Sequence, residues 1–207
     1  MGLGCGGATG EAVYDIGANI GWYSLLAARG VGADGAVVAF EPSVLNAACV
    51  QENAARNALG NVTVIPPRSP DRDGWAVFPD RGSLEGRLEK TDSQAQAERR
   101  AKRDQSHKGA SVVPVLTLDS WISETSTKPP SIVKIDVEGA EMGVLRGITG
   151  TLRSAKPVPI VELHGTRDEV ADFLDEVGYE HAPIEVDVPT RQAPWWAHLL
   201  ARPATPA

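Results

Sequence analysis

The chain has 207 residues, 42% of them apolar and 23% charged, a balance that suits one globular domain over residues 1–207. Its net charge of -7 argues against nucleic acid or an anionic membrane as a general partner, because both select a basic face. The two cysteines, Cys5 and Cys49, lack metal-ligand spacing, and no apolar run approaches the roughly 20 residues of a membrane span, so a cytoplasmic protein with reduced thiols is expected.

Taken in chain order, short apolar runs alternate with amphipathic stretches. Ala12-Val13-Tyr14 reads as a buried strand that ends at Asp15. A glycine-bearing turn follows, then a helix from Trp22 to Arg29 with Gly30 as its stop. Ala36–Phe40 is a second strand, closed by Glu41-Pro42. Ser43 is placed to cap the next helix, on which Ala47, Val50, Ala54 and Ala58 recur at helical spacing. Val62–Ile65 is a third strand.

Residues 66–110 break this rhythm with prolines, glycines and charges. From Arg81 to Lys108 there are 8 Lys/Arg against 5 Asp/Glu, a locally basic stretch in an acidic chain. It reads as a solvated insert over 80–110 or as a lid over a site.

Regular structure returns at Val112–Val115 and again at Thr117–Ile122. Ile132–Ile135 is a strand ending at Asp136, and one helix is expected from about Ala140 to Leu152, burying Val144, Leu145, Ile148 and Leu152. Val158–Val161 is a strand ending at Glu162-Leu163-His164. Thr166 and Glu169 have capping-box spacing ahead of a helix closed by Gly178. The last strand is expected at 197–201. This alternation predicts an α/β fold, a mostly parallel sheet with helices on both faces and ligands beyond the carboxyl ends of its strands. Asp15, Glu41, Asp136, Glu162 and His164 are the polar residues at those ends.

The turn Asp15-Ile16-Gly17-Ala18-Asn19-Ile20-Gly21 carries the sharpest chemical signal. Gly17 and Gly21 allow close backbone approach, and Glu41 follows about 20 residues later, where an acid meets ribose hydroxyls in nucleoside-binding folds. A dinucleotide turn begins with glycine and seats a pyrophosphate on the helix N-terminus. Here Asp15 takes that first position, and a carboxylate repels phosphate but suits the ammonium of a methionine group. The turn therefore favours S-adenosylmethionine over a nicotinamide dinucleotide.

Three blocks resemble the FkbM family of class I methyltransferases. They are Val13–Ser24, Ala39-Phe40-Glu41-Pro42 with Asn46, Asn53 and Asn57, and Thr117-Leu118-Asp119 followed by Lys134–Glu141 and Val144-Leu145-Arg146-Gly147. The resemblance implies a Rossmann-like, seven-stranded sheet with a reversed last strand. It implies S-adenosylmethionine as donor and an oxygen acceptor on a small molecule or sugar. Carried over by position, Asp15, Gly17, Asn19 and Gly21 surround the methionine part, Glu41 holds the ribose, and Ser43 flanks the adenine. Ser69 and Asp71 fall at the family's adenine contacts. Pro67-Arg68-Ser69-Pro70 departs from the small apolar pair usual there. The first strand starts within a dozen residues of Met1, so acceptor binding is expected to rest on residues 80–110 or on a partner subunit, which leaves room for a homo-oligomer.

For the reaction, Asp136, Glu138 and His164 are the candidates to orient or deprotonate an acceptor hydroxyl. Asp136 and Glu138 also suit plain helix capping, and Glu141 suits the first helical turn. Asp136, Glu162 and His164 make a set suited to Mg²⁺ or Mn²⁺, but the resemblance does not call for a metal and none is assigned. A non-catalytic cofactor-binding member of the fold and a nicotinamide-dependent oxidoreductase are the competing readings.

Overall fold

All five residues of β1 (Ala12–Ile16) are buried, as a central parallel strand requires when both of its faces are covered. A computed structural model describes residues 10–65, 74–79, 89–91, 110–115 and 117–205. From β1 the chain passes through α1 (Trp22–Val31), β2 (Ala36–Phe40), α2 (Val44–Arg56) and β3 (Val62–Ile65). Three further strands follow, β4 (Gly74–Pro79), β5 (Glu89–Thr91) and β6 (Ala110–Val115). Then come α3 (Leu118–Thr125), β7 (Ile132–Ile135), α4 (Glu141–Gly147), α5 (Thr149–Ser154) and β8 (Val158–Glu162). α6 (Arg167–Glu176), β9 (Tyr179–Pro183) and β10 (His198–Pro203) complete the order.

Among the described residues, seven strands form one sheet in the order β3-β2-β1-β7-β8-β10-β9. β1 pairs in parallel with β2 on one side and β7 on the other. β10 runs antiparallel between β8 and β9, the reversed last strand that the resemblance implied. The chain winds outward from β1 to β3 and then returns to β7, so the winding reverses between β1 and β7. Ligands of such sheets bind at that reversal, beyond the carboxyl ends of the strands.

Alternation along β1 divides the core. Tyr14 and Ile16 face the side covered by α3 to α6, with Trp121, Leu145, Ile148, Leu152, Val170 and Leu174. Tyr14, Phe40 and Trp121 meet there at ring-centroid distances of 5.2–5.7 Å, two of the three contacts edge-on. Val13 faces the other side, with Ala28, Val31 and Val37.

Several expectations are corrected. α1 runs past Gly30 and ends at Gly32, whose positive φ of 72° makes the stop, because Val31 is needed in the core. The single helix over 140–152 is two helices broken at Ile148, although its four apolar residues are buried as expected. The break is held from outside. Asp119 accepts hydrogen bonds from the Gly150 amide at 2.7 Å, the Thr151 amide at 2.9 Å and the Thr151 hydroxyl at 2.6 Å, capping α5. Thr149 donates to the Leu145 and Arg146 carbonyls and closes α4. The Thr166 capping box does not form, because the hydroxyl is turned toward Glu141. The middle of the chain contains a separate antiparallel sheet ordered β5-β4-β6. The remainder of the 80–110 segment, read as insert or lid, lies outside the described residues. No helix among the described residues is long and apolar enough to cross a membrane.

Candidate active site

The glycine turn leaves β1 toward α1 and is tied to the end of β2. The amides of Gly17 and Ala18 both donate to the Phe40 carbonyl, at 3.0 and 3.1 Å. Glu41, buried at the end of β2, accepts the Asn19 amide at 2.8 Å on one oxygen and the Ser43 amide at 2.8 Å on the other. The Asn46 side-chain amide adds a longer bond at 3.4 Å. Burial pushes the Glu41 carboxyl above its ordinary range, against the pull of these donors. Asn19 adopts a left-handed φ of 52°, which asparagine tolerates, and its side chain accepts the Ile20 amide at 2.7 Å. Asn53 reaches across from α2 to the Ile20 carbonyl at 3.0 Å. Ser43 caps α2 by accepting from the Asn46 amide.

The glycines answer to the fold itself. A Cβ on Gly17 would sit 1.7 Å from the backbone oxygen of Asp136, so the turn and the end of β7 meet only through glycine. Gly21, with φ of 91°, stands at the N-cap of α1, where a Cβ would press on Leu25 and Val50.

Asp15 is 1% exposed and accepts the Ser24 hydroxyl at 2.6 Å through Oδ2. Its Oδ1 is buried without a hydrogen-bond partner among the described residues and lies 3.6 Å from the Lys134 ammonium. Burial pushes the Asp15 carboxyl up, with Lys134 and Ser24 opposing. Lys134, on β7 directly beside Asp15, also donates to Asp136 at 3.0 Å and sits 4.5 Å above the Tyr23 ring. One cation thus links the turn to the end of β7.

Beyond that cation the end of β7 meets the end of β8. Four carboxylates stand within 4.0 Å of the ring nitrogens of His164. Its Nδ1 lies 2.8 Å from Glu141. Its Nε2 lies 3.7 Å from Glu138, 3.8 Å from Glu162 and 4.0 Å from Asp136. Burial pulls the imidazole down, but the Glu141 hydrogen bond and the charges of Glu138, Glu141 and Glu162 outweigh it, so His164 stays protonated to higher pH than an ordinary histidine. Glu162 is raised by burial and by Asp136, against His198 and His164. Asp136, Glu138 and His164 bring side-chain oxygen and nitrogen atoms within 4.8 Å of one another, a cluster in which Glu138 rather than Glu162 is the third member. Glu162 turns instead to His198, 3.2 Å away.

The model of the methyltransferase FkbM domain matches residues 15–181, which include both the glycine turn and this histidine cluster. The chain belongs to the FkbM methyltransferase family. It is 29% identical over 168 residues to the hexuronic acid methyltransferase AglP of Haloferax volcanii, covering 80% of this chain and 62% of that protein. The chain thus spans under two thirds of that relative's length. Among solved structures it resembles the methyltransferase FkbM of Methylobacillus flagellatus at 18% identity and a TM-score of 0.58, over 92% of this chain and 43% of that one. It also resembles the precorrin-6y C5,15-methyltransferase of Geobacter metallireducens at 14% identity and a TM-score of 0.55, over 94% and 82%. The fold is the Rossmann-like class I methyltransferase fold.

In this FkbM domain Asp15, Gly17, Asn19 and Gly21 lie on the end of β1 and its glycine turn, Glu41 and Ser43 lie on the end of β2 hydrogen-bonded to that turn, and Asp136, Glu138 and His164 converge at the neighbouring end of β7 and β8. Ser69 and Asp71 lie outside the described residues. Glu141 stands in the first turn of α4, as expected, and its full burial against His164 is the part that was not drawn from the sequence. The signal was present. Glu141, Val144, Leu145 and Ile148 recur at helical spacing, which puts the glutamate on the buried stripe. The tie of Thr166, read only as a helix cap, to Glu141 and that of His198 to Glu162 were missed because these partners are distant in sequence.

Proposed function

We propose that this FkbM-family chain binds S-adenosylmethionine over the glycine turn and methylates a hydroxyl on a sugar or small metabolite. The observation that carries the reading is the adjacency of two sites at the sheet's winding reversal, a nucleoside-type turn and a histidine whose Nε2 faces Asp136, Glu138 and Glu162. The residues fit the cofactor. Asp15 keeps a buried carboxylate oxygen without a hydrogen-bond partner among the described residues, which suits an ammonium group close to the turn. Glu41 has lone-pair capacity beyond its three donors for ribose hydroxyls. Gly17 to Gly21 would hold the methionine part, with Ser43 flanking the base. When bound, the cofactor supplies an electrophilic methyl group on a sulfonium.

The chain's own residues then handle the acceptor. A hydroxyl must shed a proton as it is methylated, and His164 Nε2 is the group to take it. Asp136 and Glu138 are placed to accept hydrogen bonds from neighbouring hydroxyls and hold a polyol in line. A hexuronic acid, the substrate class in the name of the Haloferax relative, offers both hydroxyls and a carboxylate. A carboxylate acceptor needs no base, so a catalytic His164 favours the hydroxyl.

Calorimetric titration tests the cofactor half. S-adenosylmethionine is expected to bind the wild-type chain, and reduced nicotinamide dinucleotide is not. Glu41→Ala is expected to weaken binding by about 1.5–3 kcal/mol for one charge-assisted hydrogen bond. Folded protein that takes up the dinucleotide and not S-adenosylmethionine would overturn the reading.

A further inference from the structure

Glu141 is 0% exposed, yet no Lys or Arg ion pair to it is found among the described residues. A burial of this kind costs several kcal/mol unless every lone pair is used. Its Oε1 accepts the Gly139 amide at 2.7 Å and faces His164 Nδ1 at 2.8 Å, while Oε2 accepts the Thr166 hydroxyl at 3.1 Å. Plain capping of α4 would be served equally well by an exposed carboxylate in the first turn. The buried position serves the imidazole instead. With Nδ1 held by the buried Glu141, the other ring nitrogen faces Asp136, the exposed Glu138 and Glu162, 3.7–4.0 Å away.

We propose that Glu141 is the positioning residue for His164: its carboxylate accepts a hydrogen bond from Nδ1–H, fixes that tautomer, and leaves Nε2 as the nitrogen that takes the acceptor's proton. This rests on the methyl-transfer reading above, in which His164 is the base. In the proton step, the acceptor O–H bond breaks, its electron pair stays on oxygen and the proton joins the Nε2 lone pair. The imidazolium so formed is balanced by the Glu141 carboxylate behind it. Thr166 holds the second carboxylate oxygen and so orients the pair, which is why its hydroxyl is absent from the helix cap.

The charged groups facing His164 come from four elements or their ends. They are Asp136 after β7, Glu138 in the following turn, Glu141 on α4 and Glu162 at the end of β8. Lys134 engages Asp136 and His198 engages Glu162. A pH effect assigned to Glu141 must therefore be read by changing Glu141 alone.

The test uses the full chain, which has only 4 histidines to assign. Nitrogen-15 correlation spectra of the rings are recorded across pH for wild type, H164Q and E141Q, with circular dichroism confirming that each is folded. Wild-type His164 is expected as the Nδ1–H tautomer when neutral, and its titration midpoint falls in E141Q. Kinetics use labelled S-adenosylmethionine and a panel of methyl glycosides and uronates, with rates taken on the member labelled fastest. E141Q is expected to lose about a hundredfold in kcat, with cofactor affinity kept and the acid limb of the pH profile moved to lower pH. A neutral Nε2–H tautomer in the wild type, or an acid limb unmoved in E141Q, overturns the proposal. A wild-type chain that shows the Nδ1–H tautomer and binds the cofactor, yet labels no acceptor, overturns the methyl-transfer reading instead.

Discussion

Substituting alanine at Gly17, Gly21 and Gly139 gives a graded test of why the glycine turn has its sequence. All three glycines have positive φ, between 84° and 91°, so each alanine pays a left-handed backbone strain of about 1–2 kcal/mol. The space around them differs. Nothing lies within 4 Å of a Cβ at Gly139, so strain is the whole cost there. At Gly21 the Cβ meets Leu25 Cδ1 at 2.9 Å and Val50 Cγ1 at 3.0 Å, side-chain tips that move aside for a further ~1 kcal/mol. At Gly17 the obstacle is the Asp136 backbone oxygen at 1.7 Å. That oxygen belongs to the end of β7, and relieving the overlap must separate the turn from β7, for about 2–3 kcal/mol beyond the strain. Urea denaturation followed by circular dichroism should rank the losses Gly17 > Gly21 > Gly139, with Gly17→Ala near 4 kcal/mol. Only Gly17→Ala should also displace Asp136 and so weaken catalysis. Equal losses at Gly17 and Gly139 would refute the claim that close approach to Asp136 fixes the first glycine.

Asp119→Ala removes the carboxylate that caps α5 from a distance and should cost about 2 kcal/mol in urea midpoint analysis, with Asp119→Asn recovering part of it. Lys134→Met leaves Asp15 buried without its cation and should cost about 3 kcal/mol near neutral pH. The loss should shrink in acid, where Asp15 is protonated, and a loss constant with pH would contradict the pairing. His164 has a folded-state pKa raised above its unfolded value, so its contribution is fully present below about pH 6.5 and fades as pH rises through the folded value. The difference in thermal midpoint between wild type and H164Q should accordingly be larger in mild acid than in mild base.

The strands β1, β2, β7 and β8 were legible because central parallel strands are apolar runs, and their polar ends marked the site. β9 was not, since Tyr179-Glu180-His181-Ala182-Pro183 is an edge strand of mixed polarity that ends in proline. In the small sheet, β6 showed in the apolar run Val112–Val115, whereas β4 and β5 were hidden within a stretch dominated by charge and turn residues. The break at Ile148 was illegible because its cap, Asp119, lies some thirty residues upstream. Gly17 was noticed for the right conformational reason, but what fills the space beside it is a backbone oxygen about 120 residues away. Asp15 was read as a carboxylate suited to an ammonium group, but its burial and its ties to Ser24 and Lys134 were not legible, because those partners stand on α1 and β7. Asn46 and Asn53, noticed only as part of the family pattern, have a physical role in holding Glu41 and the Ile20 carbonyl.

The proposed methyl transfer to a hydroxyl, with His164 as base, is open to one direct measurement. The measurement is incorporation of label from methyl-labelled S-adenosylmethionine into the glycoside and uronate panel, with each product then treated with mild base. Wild-type chain is predicted to give a base-stable ether, and H164A to lose it by at least about a hundredfold while binding the cofactor as before. Label appearing only as a base-labile ester, undiminished in H164A, would contradict the account.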